Sequence, residues 1–267
     1  MTSLDALWLG IVQGLTEFLP VSSSGHLVLA EHWLGVDADA DVSFEVVAHL
    51  GTLLAVLIVF RTSLLAMLGA TPRLLRPSGW RESYREDEAF RTAVLVVWAT
   101  LPVVVVGLGF ESRIDALFAR TAIVPWMLIV TALVVGATAF LPRREGEPGP
   151  GNTLLMGLAQ AAAIVPGISR SGSTIAAGLA SGMARERAGA FSFLMSIPAI
   201  LGALVLKLDD LAAGSVAAGP AITVFLASFL SGWGALRVLM ALVRRGRLWI
   251  FAPYLLVVGV IGVLTLG

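Results

Sequence analysis

Two polar stretches interrupt an otherwise apolar sequence, and both hold residue types suited to phosphate chemistry. The first reads Gln13-Gly14-Leu15-Thr16-Glu17-Phe18-Leu19-Pro20-Val21-Ser22-Ser23-Ser24-Gly25-His26. Gln13 and Glu17 are four residues apart and share one helix face. An ionisable group deep in apolar sequence is a functional candidate. Ser22, Ser23 and Ser24 precede Gly25 and open a second helical segment, where hydroxyls and backbone N–H groups favour anions. His26, beside three hydroxyls and a carboxylate, is suited to acid–base work on a serine or to nucleophilic attack itself. The second stretch reads Pro166-Gly167-Ile168-Ser169-Arg170-Ser171-Gly172-Ser173-Thr174. An Arg among the hydroxyls of Ser169, Ser171, Ser173 and Thr174 suits phosphate or carboxylate. Taken together, the two stretches fit a polyanion such as a phosphate ester or pyrophosphate. Pyrophosphate has more charge than one Arg neutralises, so a divalent metal on Glu17 would supply the balance.

The elements that position these residues are hydrophobic. Of 267 residues 57% are hydrophobic and 13% charged, against about one quarter charged in soluble domains. Mean hydropathy is +0.90, which places much of the chain in lipid and excludes disorder. Basic and acidic residues balance at 18 each, and with no basic domain nucleic acid is not an expected partner. The absence of cysteine excludes disulfides, thiolate metal sites and cysteine nucleophiles. A bilayer core requires about 20 apolar residues per helix. Six stretches qualify, over 44–69, 90–110, 121–141, 187–206, 218–242 and 249–266, the first with a bend or end near Arg61. Residues 4–35 and 152–183 are apolar but broken by the two polar stretches, with halves too short to cross. They are predicted to be re-entrant hairpins, whose irregular backbone requires protein or a water-filled cavity around it.

If the first hairpin returns to its own side, the bases segregate. Arg61, Arg73, Arg76, Arg81, Arg85, Arg91, Arg143, Arg144, Arg185, Arg187, Arg244, Arg245 and Arg247 share one side; Arg113, Arg120 and Lys207 share the other. The positive-inside rule makes the first side cytoplasmic and places both termini outside. The two hairpins also match under a gapless shift of 147 residues: Gly10 meets Gly157, Gln13 meets Gln160, Ser22 meets Ser169, Ser24 meets Ser171, Gly25 meets Gly172 and Phe44 meets Phe191. One hairpin plus three spans per half gives halves of opposite topology. The expectation is an all-α polytopic membrane protein. Residues 1–267 form one integral membrane domain, with six transmembrane helices and two re-entrant helix-loop-helix hairpins in inverted repeats 1–141 and 152–267. The two breaks should meet near the midplane. Glu45 and His49, one turn apart, are further candidates for the site's border. Glu31, His32, Asp37, Asp39 and Asp41 read as a solvated outer loop, and 72–89 as a charged cytoplasmic surface.

Gln13, Glu17, Ser22, Ser23, Ser24 and His26, with Pro166, Gly167, Ser169, Arg170, Ser171 and Thr174, resemble the two signature regions of bacterial undecaprenyl-pyrophosphate phosphatases of the bacitracin-resistance type. The resemblance extends in length and span count over the whole chain. It implies a multi-pass enzyme of the bacterial inner membrane that removes the terminal phosphate of undecaprenyl pyrophosphate. That reaction yields undecaprenyl phosphate and recycles the cell-wall lipid carrier, at a site open to the periplasm. It implies Mg²⁺ or Ca²⁺ as cofactor, with Glu17 binding metal or orienting water and Arg170 clamping phosphate with Ser169, Ser171 and Thr174. Ser23 would be nucleophile with His26 as general acid or base, or His26 the nucleophile and Ser23 a phosphate ligand. Many members have Glu where this chain has Gln13, whose amide oxygen can still ligate a cation with one charge fewer. Partners are then a polyprenyl pyrophosphate lipid and the bilayer, and a homo-oligomer is compatible with the sequence. Inverted hairpins are also a transporter device, so an anion or lipid-phosphate transporter is the alternative from another class.

Overall fold

The computed structural model describes residues 2–34, 42–74, 79–118, 120–207 and 217–266. Among them all regular structure is helical, apart from an isolated bridge between Gly146 and Met183. The first broken segment forms α1 (Ser3–Phe18) and α2 (Ser23–Leu34). Then come α3 (Val42–Val59), α4 (Arg61–Leu74), α5 (Trp80–Glu86), α6 (Glu88–Gly109), α7 (Glu111–Phe118) and α8 (Val124–Ala137). The second broken segment forms α9 (Pro150–Ala162) and α10 (Arg170–Ala180). It is followed by α11 (Arg185–Leu206), α12 (Ala218–Arg244) and α13 (Ala252–Leu266).

Five of the six expected spans are helices long and apolar enough to cross a membrane. They are Glu88–Gly109, Thr121–Phe140, Arg185–Leu206, Ala218–Arg244 and Leu248–Leu266. Their outer faces expose large apolar side chains such as Val105, Leu133, Leu230, Val257 and Leu264, a surface suited to lipid. The stretch expected as one span over 44–69 is two helices, α3 and α4, bent by 81°. The bend falls where Arg61 ends the apolar run and turns its guanidinium back to donate to Ile58 O at 3.1 Å. The acidic outer loop expected at Asp37, Asp39 and Asp41 lies outside the described residues, as do the side chains of Glu31 and His32.

Membrane helices gain little hydrophobic energy from one another, so small residues and close backbone approach drive their packing. Here α1 lies along α12 through Gly10 and Gly14. A Cβ on Gly10 would stand 2.6 Å from Val224 O and 2.7 Å from Ala227 Cβ. Likewise α9 lies along α6, where a Cβ on Gly157 would overlap Ala99 O and stand 3.1 Å from Ala99 Cα. Gly10 and Gly157 are counterparts under the 147-residue shift, and each admits a helix from the other half of the chain. The core between these pairs is aromatic: Phe18 meets Phe193 edge-on at 5.7 Å, and Phe60 stacks on Phe193 at 6.0 Å.

Ion pairs gather the helix ends. Arg73 pairs with Asp87, and Asp87 also caps α6 by accepting from Ala89 N at 2.9 Å and Phe90 N at 3.1 Å. These Phe90 and Ala89 N–H groups, with Arg73, hold the Asp87 carboxyl below its ordinary pKa. Arg187 pairs with Glu88 and, at 3.4 Å, with Glu147; Arg244 approaches Glu186 at 3.5 Å. The starts of α6 and α11 and the end of α12 therefore share one end of the molecule. At the other end of α11, Lys207 Nζ meets Glu45 Oε2, near the start of α3, at 3.3 Å.

The glycine contacts have a measurable consequence. Gly10→Ala and Gly157→Ala should each lower the thermal unfolding midpoint in detergent, at a cost of about 1–3 kcal/mol for overpacking. A Cβ on Gly107 meets nothing within 4 Å, so Gly107→Ala should raise the midpoint by the equivalent of about 0.4–1 kcal/mol. Equal midpoints for all three variants would show that these contacts do not set helix spacing.

Candidate active site

The two breaks between half-helices form where proline and serine dictate. Pro20 holds Leu19 extended (φ −60°, ψ 146°) and ends α1. Ser22 then takes φ +68°, a left-handed conformation rare outside glycine, and its Oγ accepts from Gly25 N at 3.3 Å to start α2. In the second break Gly167 has φ +93°, and a Cβ there would stand 2.6 Å from Val124 O. Ser169 Oγ accepts from Gly172 N at 3.2 Å and caps α10. Thr131 holds this break in place, donating to Gly167 O at 2.9 Å and accepting from Ser169 N at 3.1 Å. Ser22 and Ser169 thus play matching capping parts in matching positions of the shift.

The breaks touch. The Cβ position of Gly25 lies 3.1 Å from Gly167 Cα, and that of Gly172 lies 3.1 Å from Pro20 Cβ. Ser171 Oγ donates to Leu19 O at 3.3 Å. The central contact is charged: Arg170 Nη2 donates to Glu17 Oε1 at 2.6 Å, with only 8% of the Glu17 side chain exposed. The other Glu17 oxygen, Oε2, accepts from Ser23 Oγ at 3.0 Å and from Gln13 Nε2 at 3.1 Å. Gln13 Nε2 also lies 3.2 Å from His49 Nε2, and His49 Nδ1 lies 2.8 Å from Glu45 O. A neutral His49 protonated on Nδ1 satisfies both contacts. The amide nitrogen of Gln13 is therefore fully used between Glu17 and His49. Its oxygen, Oε1, is buried without a protein partner, as is Arg170 Nη1.

A cavity of about 320 Å³ lies against this cluster. Glu17, Ser24, Gln160 and Arg170 line it together with His49, and it extends past Ala199 and Ala203 to Glu45 and Lys207. It therefore runs toward the end of the molecule opposite the Arg187 and Arg244 ion pairs. Glu45 and His49, candidates for the border, are part of its wall.

The remaining expected residues are placed as follows. His26 Nδ1 faces Ser22 O at 2.9 Å, while Nε2 faces Tyr254 Oη at 2.7 Å and the two rings stack. Among the described hydrogen bonds, Ser23 is joined to Glu17 and His26 to Ser22 and Tyr254. Thr174 Oγ1 donates to Arg170 O at 2.8 Å and lies 2.6 Å from Ser192 Oγ. Ser173 borders a different, apolar cavity beside Thr131 and Ala177. Tyr254, Thr131 and Ser192 were not singled out in the sequence, since a lone hydroxyl within a span has no distinctive spacing. Gln160 had a signal, its match to Gln13 under the shift.

Among the described residues no three His, Cys, Asp or Glu side chains converge as a metal cage. A site for Mg²⁺ needs less, because that ion keeps several waters and takes one or two protein oxygens plus substrate phosphates. The Glu17 carboxylate and the unpartnered Gln13 Oε1 are oxygen donors of the type that such a cation takes.

Comparisons with known proteins identify the family. Residues 6–261 match the family described as bacitracin resistance protein BacA. The chain is 41% identical to the undecaprenyl-diphosphatase of Desulforapulum autotrophicum over 96% of both chains. It is 42% identical to that of Methanobrevibacter smithii over 98% of this chain and 96% of the other. To that of Rubrobacter xylanophilus it is 44% identical over 94% of this chain and 93% of the other. With the family pattern matched across nearly the whole length, and relatives of such identity spanning both chains end to end, this chain belongs to the BacA family.

Proposed function

We propose that this chain is an undecaprenyl-diphosphate phosphatase: it hydrolyses undecaprenyl pyrophosphate to undecaprenyl phosphate and inorganic phosphate in the bacterial inner membrane. The activity for which its relatives are named supports this reading. The observation that carries it is a serine hydroxyl held on a buried carboxylate that itself lines a cavity, beside an Arg with one free guanidinium nitrogen.

In the proposed reaction Ser23 Oγ attacks the terminal phosphorus, and its proton passes to Glu17 Oε2, the atom it already faces at 3.0 Å. The bond from that phosphorus to the bridging oxygen breaks, and the electron pair leaves on undecaprenyl phosphate. Glu17 then releases its proton to cavity water. Water next attacks the phosphoserine; its proton goes to Glu17 and from there to the departing Ser23 oxygen, and inorganic phosphate is freed. Arg170 Nη1, with no protein partner, is available to the phosphate oxygens as charge moves in the transition state. The hydroxyls of Ser22, Ser24, Ser169, Ser171 and Thr174 support the two helix starts around this point. His26 is assigned to positioning, because its bond to Ser22 O holds the residue that turns the loop at positive φ. A divalent cation, Mg²⁺ or Ca²⁺, bound by Glu17 and Gln13, would neutralise the pyrophosphate charge that Arg170 alone does not.

The proposed setting is six transmembrane helices, α3 serving as the first, and two re-entrant hairpins, α1–α2 and α9–α10, in inverted repeats. The cavity's run toward Lys207, away from the Arg-rich end, supports an opening on the periplasmic side with both termini periplasmic.

The test is inorganic phosphate release from undecaprenyl pyrophosphate by purified protein in detergent, with Mg²⁺, Ca²⁺ or EDTA. Release should require the metal. Arg170→Ala should reduce turnover by about 10²–10³-fold, the effect of losing one transition-state donor. Ser23→Ala should abolish the phosphoserine trapped by acid quench from labelled substrate. Full turnover in EDTA, or normal turnover by Ser23→Ala, would overturn the mechanism. Gln13→Glu adds a second carboxylate beside Glu17 and should lower the Mg²⁺ concentration at half-maximal rate; an unchanged metal titration would remove Gln13 from the cation site.

A further inference from the structure

Among the described residues that line the cavity, Gln160 is the buried polar side chain that the proposed mechanism does not use. Gln160 is 2% exposed, and both of its amide atoms, Nε2 and Oε1, are buried without a protein hydrogen bond. Such a group is costly to bury, and native proteins pair nearly all of them. Its place decides between glue and ligand. A Gln that glues helices bonds across to its neighbour, yet Gln160 bonds to none of the residues around it and lines the same cavity as Glu17 and Arg170. It also sits on the face of α9 set by its match to Gln13. Where Gln13 spends its amide nitrogen on Glu17 and His49, the counterpart amide is free at both atoms.

We infer that Gln160 is a substrate-binding residue: its Nε2 donates to a non-bridging oxygen of the diphosphate, and its Oε1 accepts from a water or protonated phosphate oxygen in the same cavity. The two glutamines then flank the Glu17–Arg170 pair, Gln13 toward the cation and Gln160 toward the anion. This rests on the phosphatase reading for the identity of the substrate, but not for the existence of a diphosphate site.

Two variants and two readouts test it. Gln160→Leu removes both polar atoms from a place where they have no protein partner, so its unfolding midpoint without ligand should match or exceed that of wild type. Its KM for undecaprenyl pyrophosphate should rise about tenfold, with a smaller change in kcat, as for one lost hydrogen bond to a charged group. Gln160→Glu keeps the shape but sets a carboxylate against the phosphate, and should raise KM further. The second readout is thermal protection by methylenediphosphonate with Mg²⁺, which needs no turnover. Wild type should be protected, and both variants should require at least about tenfold more ligand for the same protection. Equal protection in wild type and both variants would overturn the role of Gln160 while leaving the phosphatase intact. A lower midpoint in Gln160→Leu, with protection of Gln160→Glu equal to wild type, would assign Gln160 to helix packing instead. Lack of both phosphate release and protection in wild type would overturn the inference and the phosphatase reading together.

Discussion

The structure depends on one ion pair between two places where helices stop. Glu17 closes the first half-helix and Arg170 opens the last, and they meet at 2.6 Å with the carboxylate almost wholly buried. Neither charge is tolerable alone among apolar helices, where an unpaired buried charge costs several kcal/mol. The pair ties together segments 153 residues apart in sequence. It leaves each partner incompletely engaged: Glu17 also holds a serine hydroxyl, and Arg170 keeps one nitrogen free. A pair built only for stability would close both ends. This one has atoms to spare where a cavity begins.

Packing makes the pair possible. The breaks can touch only because glycine stands at each contact, Gly25 against Gly167 and Gly172 against Pro20. α1 and α9 can pack this closely only because Gly10 and Gly157 admit the backbones of α12 and α6. The caps are likewise duplicated, Ser22 on Gly25 and Ser169 on Gly172. A loop buried in this way has few ways to satisfy its backbone, and serine hydroxyls do so locally without importing charge. Thus the residues that look like chemistry in the sequence divide their work. Some serines start helices, and Ser23 is the one whose hydroxyl faces the carboxylate.

That division sets the limit of what sequence alone reveals. Five of the six apolar spans were legible because lipid demands long uninterrupted helices, and their edges fall within a few residues of those expected. The bend at Arg61 was visible as a charge but not as an 81° turn, which depends on what α4 packs against. In the site, Gln13, Glu17, Ser23 and Arg170 were legible from type and spacing, and the structure brings all four together. The partner of Ser23 was not. Sequence placed His26 three residues from it, but on a helix that separation leaves the ring free to turn toward Tyr254, 228 residues away. Glu17, six residues back across a proline, is the neighbour that the loop supplies. Gln160 showed only as the echo of Gln13, since an amide among alanines has no chemistry until its surroundings are known.

The central claim is that Glu17 and Arg170 act as one unit in turnover, and a double-mutant cycle on phosphate release measures this most directly. Glu17→Gln, Arg170→Gln and the double variant would be compared with wild type as purified, folded protein on undecaprenyl pyrophosphate. Residues acting as a unit give single losses about as large as the double loss. Here each single variant should therefore fall to nearly the rate of the double variant. Losses that multiply independently, or a single variant that turns over at the wild-type rate, would contradict it.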